Sequence, residues 1–111
     1  MGHRTGLRAD RLPVACDLSS LDPDQAKRRQ ELQERLRADI REVRELEDGY
    51  AFRHSPGAPV LLDLTEFATL ECLCCPFFDF AVEIGRNAGP VWFLITGGDE
   101  AKRVLHVQLN L

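Results

Sequence analysis

The segment from Glu71 to Phe78 constrains the fold more than any other, because a proline interrupts it directly after three cysteines. Proline cannot continue a helix, and it disfavours helical geometry at the residue before it. The sequence therefore predicts that a helix breaks at Cys75 and that a strand begins beyond Pro76. The cysteines at positions 72, 74 and 75 then lie at a corner between two rigid elements.

Helical spacing predicts how these side chains are oriented. If the helix persists up to Pro76, Cys72 and Glu71 lie three and four residues before Cys75, on the same face. Cys72 also continues an apolar stripe at four-residue spacing, which predicts that it points inward. Cys74 is rotated by about 100° from Cys75. Helix geometry thus favours Cys72 with Cys75 as a chelating pair, and Cys74 joins them only if the helix unwinds early.

Size and charge restrict the class of protein. The chain has 111 residues, 44% of them apolar, which suits one core. We predict a disordered lead-in at residues 1 to 11 and a single α+β domain at residues 12 to 111. The net charge is −4, and no basic stripe forms, so a nucleic-acid partner is not expected.

The sequence also lacks an apolar stretch of the roughly 20 residues that a membrane span needs, and its start lacks the apolar core of a signal peptide. We therefore expect a cytoplasmic protein with no membrane partner. Thiols are kept reduced in that compartment, where a cysteine cluster is more typical of metal binding or catalysis than of a disulfide framework.

Periodicity predicts the order β-α-β-α-β-β-α, with a mostly antiparallel four-stranded sheet and helices packed on one face. The predicted elements are a strand at 12 to 18, a helix from Asp22 to about Leu46, a strand at 50 to 54, a helix at 60 to 74, strands at 77 to 84 and 91 to 96, and a last helix after Asp99. Residues 105 to 111 alternate as a strand would, so a final strand remains an alternative.

Turn and cap residues support several of these boundaries. Asp22 followed by a proline and Gln25 is typical of a capping box. Asp48-Gly49 is predicted to close the first helix, with glycine in the left-handed conformation. The strand from Val91 to Ile95 is apolar on both faces, so either the long helix or a second subunit must cover the second face. We predict a homodimer.

Two further side chains are candidates for the site. His54 ends a predicted strand on the side of Tyr50 and Phe52, where it could bind a metal or act as a base. A partly exposed histidine without a function is the commoner outcome at such a place. Cys16, in the first predicted strand, could complete the cluster or be a small buried side chain.

The layout resembles a group of small, poorly characterised bacterial proteins associated with heavy-metal resistance gene neighbourhoods. The resemblance covers residues 12 to 109. The shared features are Cys16-Asp17-Leu18, the run from Glu45 to Phe52, Glu71 followed by Cys74-Cys75-Pro76-Phe77, and Gly89-Pro90 to Thr96-Gly97. It implies that Cys74 and Cys75 form the functional pair. The chain departs from the group at Cys72, where a basic residue is common.

The leading hypothesis is a soft-metal site, because two or three neighbouring thiolates suit an ion such as Hg²⁺ or Cu⁺ without a tetrahedron. Zn²⁺ is a further candidate, but its closed site needs four ligands, and only Cys16, His54 or an acidic residue could complete the cluster. We rank the ligands Cys75, Cys74, Cys72 and then Cys16, and we expect no organic cofactor. A disulfide oxidoreductase is disfavoured, since the thiols close a helix where the dipole opposes a thiolate. Two alternatives remain: buried cysteines in a structural or interaction domain, and a thiol-dependent enzyme of the organomercurial-cleavage type, with Glu71 or Asp79 as its acid or base.

Overall fold

The computed structural model describes residues 17 to 109. The predicted lead-in at residues 1 to 11 and most of the predicted first strand lie outside this range. Of that strand, Asp17 and Leu18 are described, and they are not extended in a sheet. Asp17 caps a 3-10 helix at Leu18–Ser20, accepting a hydrogen bond from the Ser19 amide.

The described residues form three α-helices and one sheet of four antiparallel strands. They are α1 (Pro23–Ala38), β1 (Glu42–Leu46), β2 (Gly49–His54), α2 (Ala58–Cys74), β3 (Asp79–Ile84), β4 (Val91–Thr96) and α3 (Asp99–Leu109). The spatial order of the strands is β1-β2-β4-β3. The α+β class and the four-stranded antiparallel sheet are thus confirmed. Within the described range, no helix is long and apolar enough to cross a membrane.

The first helix begins as predicted but ends earlier. Asp22 accepts from the Gln25 amide at 2.8 Å, and its own amide donates to the Gln25 side chain at 3.0 Å. The predicted end near Leu46 is wrong, because α1 stops at Ala38 and residues 42 to 46 form β1. The apolar spacing of this segment fits a helix, yet pairing with β2 along its whole length stabilises the strand instead.

Asp48-Gly49 belongs to a β-hairpin rather than to a helix end. Gly49 is the first residue of β2 and pairs with Leu46, so Asp48 lies in a two-residue turn. The φ angle of Gly49 is not positive, so the predicted left-handed conformation of this glycine is wrong. A Cβ at Gly49 would lie 1.9 Å from the carbonyl oxygen of Ile95. Glycine is therefore required here because β4 passes close by.

The core lies between one face of the sheet and the helices. Phe67 of α2 meets Phe93 edge-on, and Tyr50 hydrogen-bonds to His106 of α3 at 3.0 Å. α2 and α3 thus cover the same face, as predicted. Buried side chains of this face are Tyr50, Phe52, His54, Val91, Phe93 and Ile95. The helices contribute Leu32, Leu36, Leu64, Leu70, Ala101 and Leu105.

Ion pairs join α1 to α2 beside this core. Arg28 donates two hydrogen bonds of 2.8 Å to Glu66, and Arg35 donates two of 2.9 and 3.0 Å to Asp63. Paired donors of this kind fix the relative orientation of the two groups. The register of α1 along α2 is therefore set by charged groups as well as by apolar contacts.

The second face of the sheet carries no helix among residues 17 to 109. The guanidinium of Arg44 lies 4.4 Å from the ring centre of Trp92, so β1 shields the largest apolar side chain of that face. This contact does not test the predicted homodimer, which stays a prediction. At the other end of the chain, α3 runs to Leu109, so the alternative of a final strand is wrong as far as that residue.

Candidate metal site

The corner predicted at Pro76 is present. α2 ends at Cys74, and Cys75 has left helical geometry with φ −128° and ψ 73°. Its amide still donates to the Glu71 carbonyl at 2.6 Å, closing the last turn. The chain then turns into β3. Residues of the last turn and the first non-helical residue are consequently held side by side.

Glu71, Cys74 and Cys75 form what we call the corner cluster. One ligand atom from each lies within 4.8 Å of the others, and all three residues are buried. The two sulfurs are 3.7 Å apart. The Cys74 thiol donates to Glu71 Oε2 at 3.8 Å. The structure thus brings together three predicted site residues.

Cys72 is exposed and lies outside the cluster, contrary to the inward orientation predicted for it. The prediction followed the stripe in steps of four residues, and each such step drifts by about 40° at 100° per residue. Two steps from Leu64 place Cys72 about 80° away, whereas Glu71 returns to within about 20°. A glutamate therefore occupies the core-facing position, and the helical pair Cys72 with Cys75 does not form.

Arg29 of α1 supplies the charge that opposes Glu71. The two side chains form an ion pair, with Arg29 13% and Glu71 5% exposed. The guanidinium also lies 5.9 Å from the ring centre of Phe67. Sequence reasoning missed this residue because Arg29 lies in a run of charged residues that reads as a solvated face, 42 residues before its partner. No local signal identifies it.

The environment of the cluster disfavours a thiolate. Burial raises the pKa of the Cys74 thiol above its usual value, and the nearby Glu71 charge raises it further, with Arg29 acting in the opposite direction. Cys74 also lies at the C-terminal end of α2, where the negative pole of the helix dipole disfavours a negatively charged thiolate. Cys74 is thus a neutral thiol at neutral pH, unlike the activated cysteines of redox enzymes.

Cys75 differs from its neighbours in oxidation state. It is disulfide-bonded in this structure, whereas Cys72 and Cys74 are free thiols. Cys16 lies outside the described residues, so its role stays a prediction. Asp17, the first described residue, lies at this corner, because its amide donates to the Cys74 carbonyl at 2.8 Å. Only a reduced Cys75 has a thiolate to offer a metal.

The remaining sequence candidates lie elsewhere. His54 is buried, facing the same side as Phe52, and its Nδ1 is 3.2 Å from Asp39 Oδ2. It is therefore not the partly exposed histidine that we expected. Burial lowers its pKa, which Asp39 partly offsets. Asp79 is exposed at the start of β3, on the face opposite to the helices.

Comparison with known proteins adds no assignment. No protein-family model matches the chain, and neither the curated proteins nor the solved structures contain a match to it.

Proposed function

We propose that the corner cluster of the reduced protein binds a thiophilic metal ion. One observation carries the proposal: three side chains that can ligate a metal converge within 4.8 Å of one another in a buried corner. A buried carboxylate is costly unless it is paired or coordinates a metal, and Glu71 has Arg29 as its partner. Buried neutral thiols carry no such cost, so the support for a metal comes from the convergence of the three groups. The cluster is held by α2, by the turn after it and by the ion pair from α1.

The distances favour a four-coordinate ion over a linear one. Zinc–thiolate bonds of about 2.3 Å in a tetrahedron place two sulfurs about 3.8 Å apart. The observed separation of the two sulfurs is 3.7 Å. Two thiolates bound in a line would instead lie about 4.6 Å apart, twice that bond length. The spacing of Cys74 and Cys75, observed with Cys75 disulfide-bonded, is thus closer to the tetrahedral value of Zn²⁺ than to that of a linear ion.

Charge disfavours Cu⁺, although it does not separate Zn²⁺ from Hg²⁺. Two thiolates and the Glu71 carboxylate carry three negative charges, which a divalent ion and Arg29 would neutralise together. A monovalent Cu⁺ would leave one negative charge in a buried site, which is unfavourable. Glu71 can accept from Arg29 and still offer a lone pair, since a carboxylate has about four acceptor positions. Arg29 would thus hold a ligand rather than compete for it.

Reduction is a precondition of binding. A thiol or phosphine reductant supplies two electrons, and with two protons the disulfide of Cys75 becomes two thiols. Binding then releases the protons of Cys74 and Cys75, so affinity should rise with pH. Because burial raises the pKa of Cys74, this rise should extend above neutral pH. The sequence-predicted fourth ligand is Cys16, with water as the other candidate.

The test is metal titration of the reduced protein under anaerobic conditions, with a chromophoric chelator as competitor. We expect one equivalent of Zn²⁺ and, with Co²⁺ as a probe, the absorption of a tetrahedral thiolate site. Cys74→Ser and Cys75→Ser should each weaken affinity by about 10- to 100-fold or more. Cys72→Ser is the matched control and should change nothing. Cys16→Ser shows whether a fourth thiolate takes part.

Equal affinity in wild type, Cys74→Ser and Cys75→Ser would refute the proposal. The two cysteines would then serve only as small side chains that fill the core. One observation favours this alternative: Cys74 and Cys75 are both fully buried within the apolar core. In that case alanine at either position should destabilise the fold by about 1–3 kcal/mol without any effect of metal.

A further inference from the structure

The two edge strands of the sheet differ in a way that points to a partner. β1 is an edge rich in charges, with Glu42 paired to both Arg44 and Arg53. Charged side chains on an edge discourage pairing with another chain. β3, the opposite edge, has the sequence Asp-Phe-Ala-Val-Glu-Ile and only one exposed charge among its last five residues. Among residues 17 to 109, charged side chains therefore protect the β1 edge, and no second strand pairs with the outer side of β3.

The apolar side chains of β3 on the helix-facing side extend past the cover of the helices. Val82 is 37% and Ile84 is 60% exposed, although they pair with the buried Phe93 and Val91 of β4. Within residues 17 to 109, β3 has a strand neighbour on one side only. Its outer backbone groups and these side chains form one continuous edge suited to another strand.

We propose that β3 pairs with β3 of a second copy of this chain, so that two sheets join into one of eight strands. A two-fold axis perpendicular to the sheet maps helix-facing residues onto helix-facing residues. Two residues that pair across the axis therefore lie on the same face of the strand. Their numbers are both even or both odd, so the sum is even. This leaves three registers within the strand, centred on Ala81, Val82 or Glu83.

Charge distinguishes the three registers. Centring on Ala81 places Asp79 opposite Glu83 of the partner subunit, and centring on Glu83 places two glutamates opposite each other. Like charges directly opposite are destabilising. Centring on Val82 places Val82 opposite its own copy, Phe80 opposite Ile84, and Ala81 opposite Glu83. Apolar side chains meet on one face, and no carboxylates face each other on the other.

This self-complementarity is the reason to name a second copy as the occupant. A strand of a different protein would need its own pattern to match, whereas the two-fold axis provides the match from one sequence. The interface is small, so the dimer should belong to the weak, concentration-dependent class. It leaves the corner cluster untouched and does not depend on metal binding.

The test is sedimentation equilibrium of the full chain over about 1 to 500 µM, where an interface of this size should begin to associate. We expect a monomer–dimer equilibrium. Val82→Lys should weaken dimerisation by more than about tenfold, because it places two ammonium groups at the axis. Val43→Lys is the matched control: Val43 is 40% exposed on β1, faces the same side and pairs with Phe52. It should leave dimerisation unchanged.

A second variant tests the register in the opposite direction. Ala81→Lys, at an exposed position, would create two ion pairs with Glu83 across the axis. It should tighten the dimer by about fivefold at low salt, and the gain should disappear in high salt. A chain that stays monomeric throughout this range overturns the proposal, including the case in which its own N-terminal segment covers the edge. So does a dimer that Val43→Lys disrupts and Val82→Lys does not, or one that Ala81→Lys weakens.

Discussion

Replacement of Arg29 by methionine should destabilise the protein more than any other change of a single charged residue in α1. Methionine keeps most of the aliphatic stem against Phe67 but removes the partner of Glu71. Breaking a buried ion pair by removing one partner costs about 3–5 kcal/mol. We expect the lower end, about 3 kcal/mol, because the Cys74 thiol still donates to the carboxylate.

That loss is large for a domain whose total stability is about 5–15 kcal/mol. It corresponds to a fall in Tm of about 12 °C or more. The measurement is urea unfolding at pH 7, followed by circular dichroism, with reductant and a metal chelator present in every sample. These conditions keep the oxidation state of Cys75 and the metal content equal across the variants.

Arg35→Met provides the matched control on the same helix. Arg35 also pairs with a carboxylate of α2, but its side chain is 54% exposed, and exposed pairs contribute about 0.5 kcal/mol. The two variants remove the same chemical group from the same helix. Any difference between them therefore reports burial rather than loss of an arginine.

A double-mutant cycle shows whether the cost belongs to the pair. Glu71→Gln alone should cost about 1.5 kcal/mol, since the partly exposed Arg29 can still reach water. The double variant Arg29→Met with Glu71→Gln should cost about 2 kcal/mol instead of the sum of about 4.5 kcal/mol. A loss below about 1 kcal/mol for Arg29→Met, or additive losses, would refute the argument that Glu71 is buried as a paired charge.

Three further predictions concern other parts of the molecule. Because burial lowers the pKa of His54 below 6.5, the unfolded state binds its proton more tightly, so stability should fall as pH drops below about 6.5; urea unfolding of wild type and His54→Gln across this range checks it, and equal slopes would contradict it. Gly49→Ala should lose about 2 kcal/mol or more or fail to fold, since its Cβ would meet the Ile95 carbonyl oxygen; thermal unfolding is the assay. Iodoacetamide should modify Cys72 in the native protein and Cys74 only after unfolding, as peptide mass spectrometry can show.

The sequence predicted those parts of the fold whose signals are local. The capping residues after Asp22 and the alternating strands β3 and β4 follow from neighbouring residues alone. β1 was missed because its apolar residues also fit a helix stripe, and only pairing with β2 decides between the two. The need for glycine at position 49 was predicted for the wrong reason, because the contact that requires it comes from β4, which is distant in sequence.

In the candidate site, too, local signals could be predicted from the sequence and contacts between distant segments could not. Glu71 and Cys75 could be predicted from a proline and from spacing within five residues, whereas spacing favoured Cys72 over Cys74 and only the resemblance pointed to Cys74. Arg29 could not, because the ion pair joins two helices that meet only in the folded chain. The disulfide state of Cys75 also escaped prediction, since the expected compartment argued for free thiols. Spacing locates the corner, and tertiary structure decides which side chains meet there and what charge and oxidation state they have.

The strand order β1-β2-β4-β3 also has a consequence for folding kinetics. β1 with β2, and β3 with β4, are hairpins whose partners are close in sequence. The pairing of β2 with β4 instead joins residues separated by the whole of α2. Closing that loop costs entropy before its contacts form, so each hairpin can appear early. We therefore expect docking of the two inner strands, with Phe52 opposite Phe93, to limit the rate of folding.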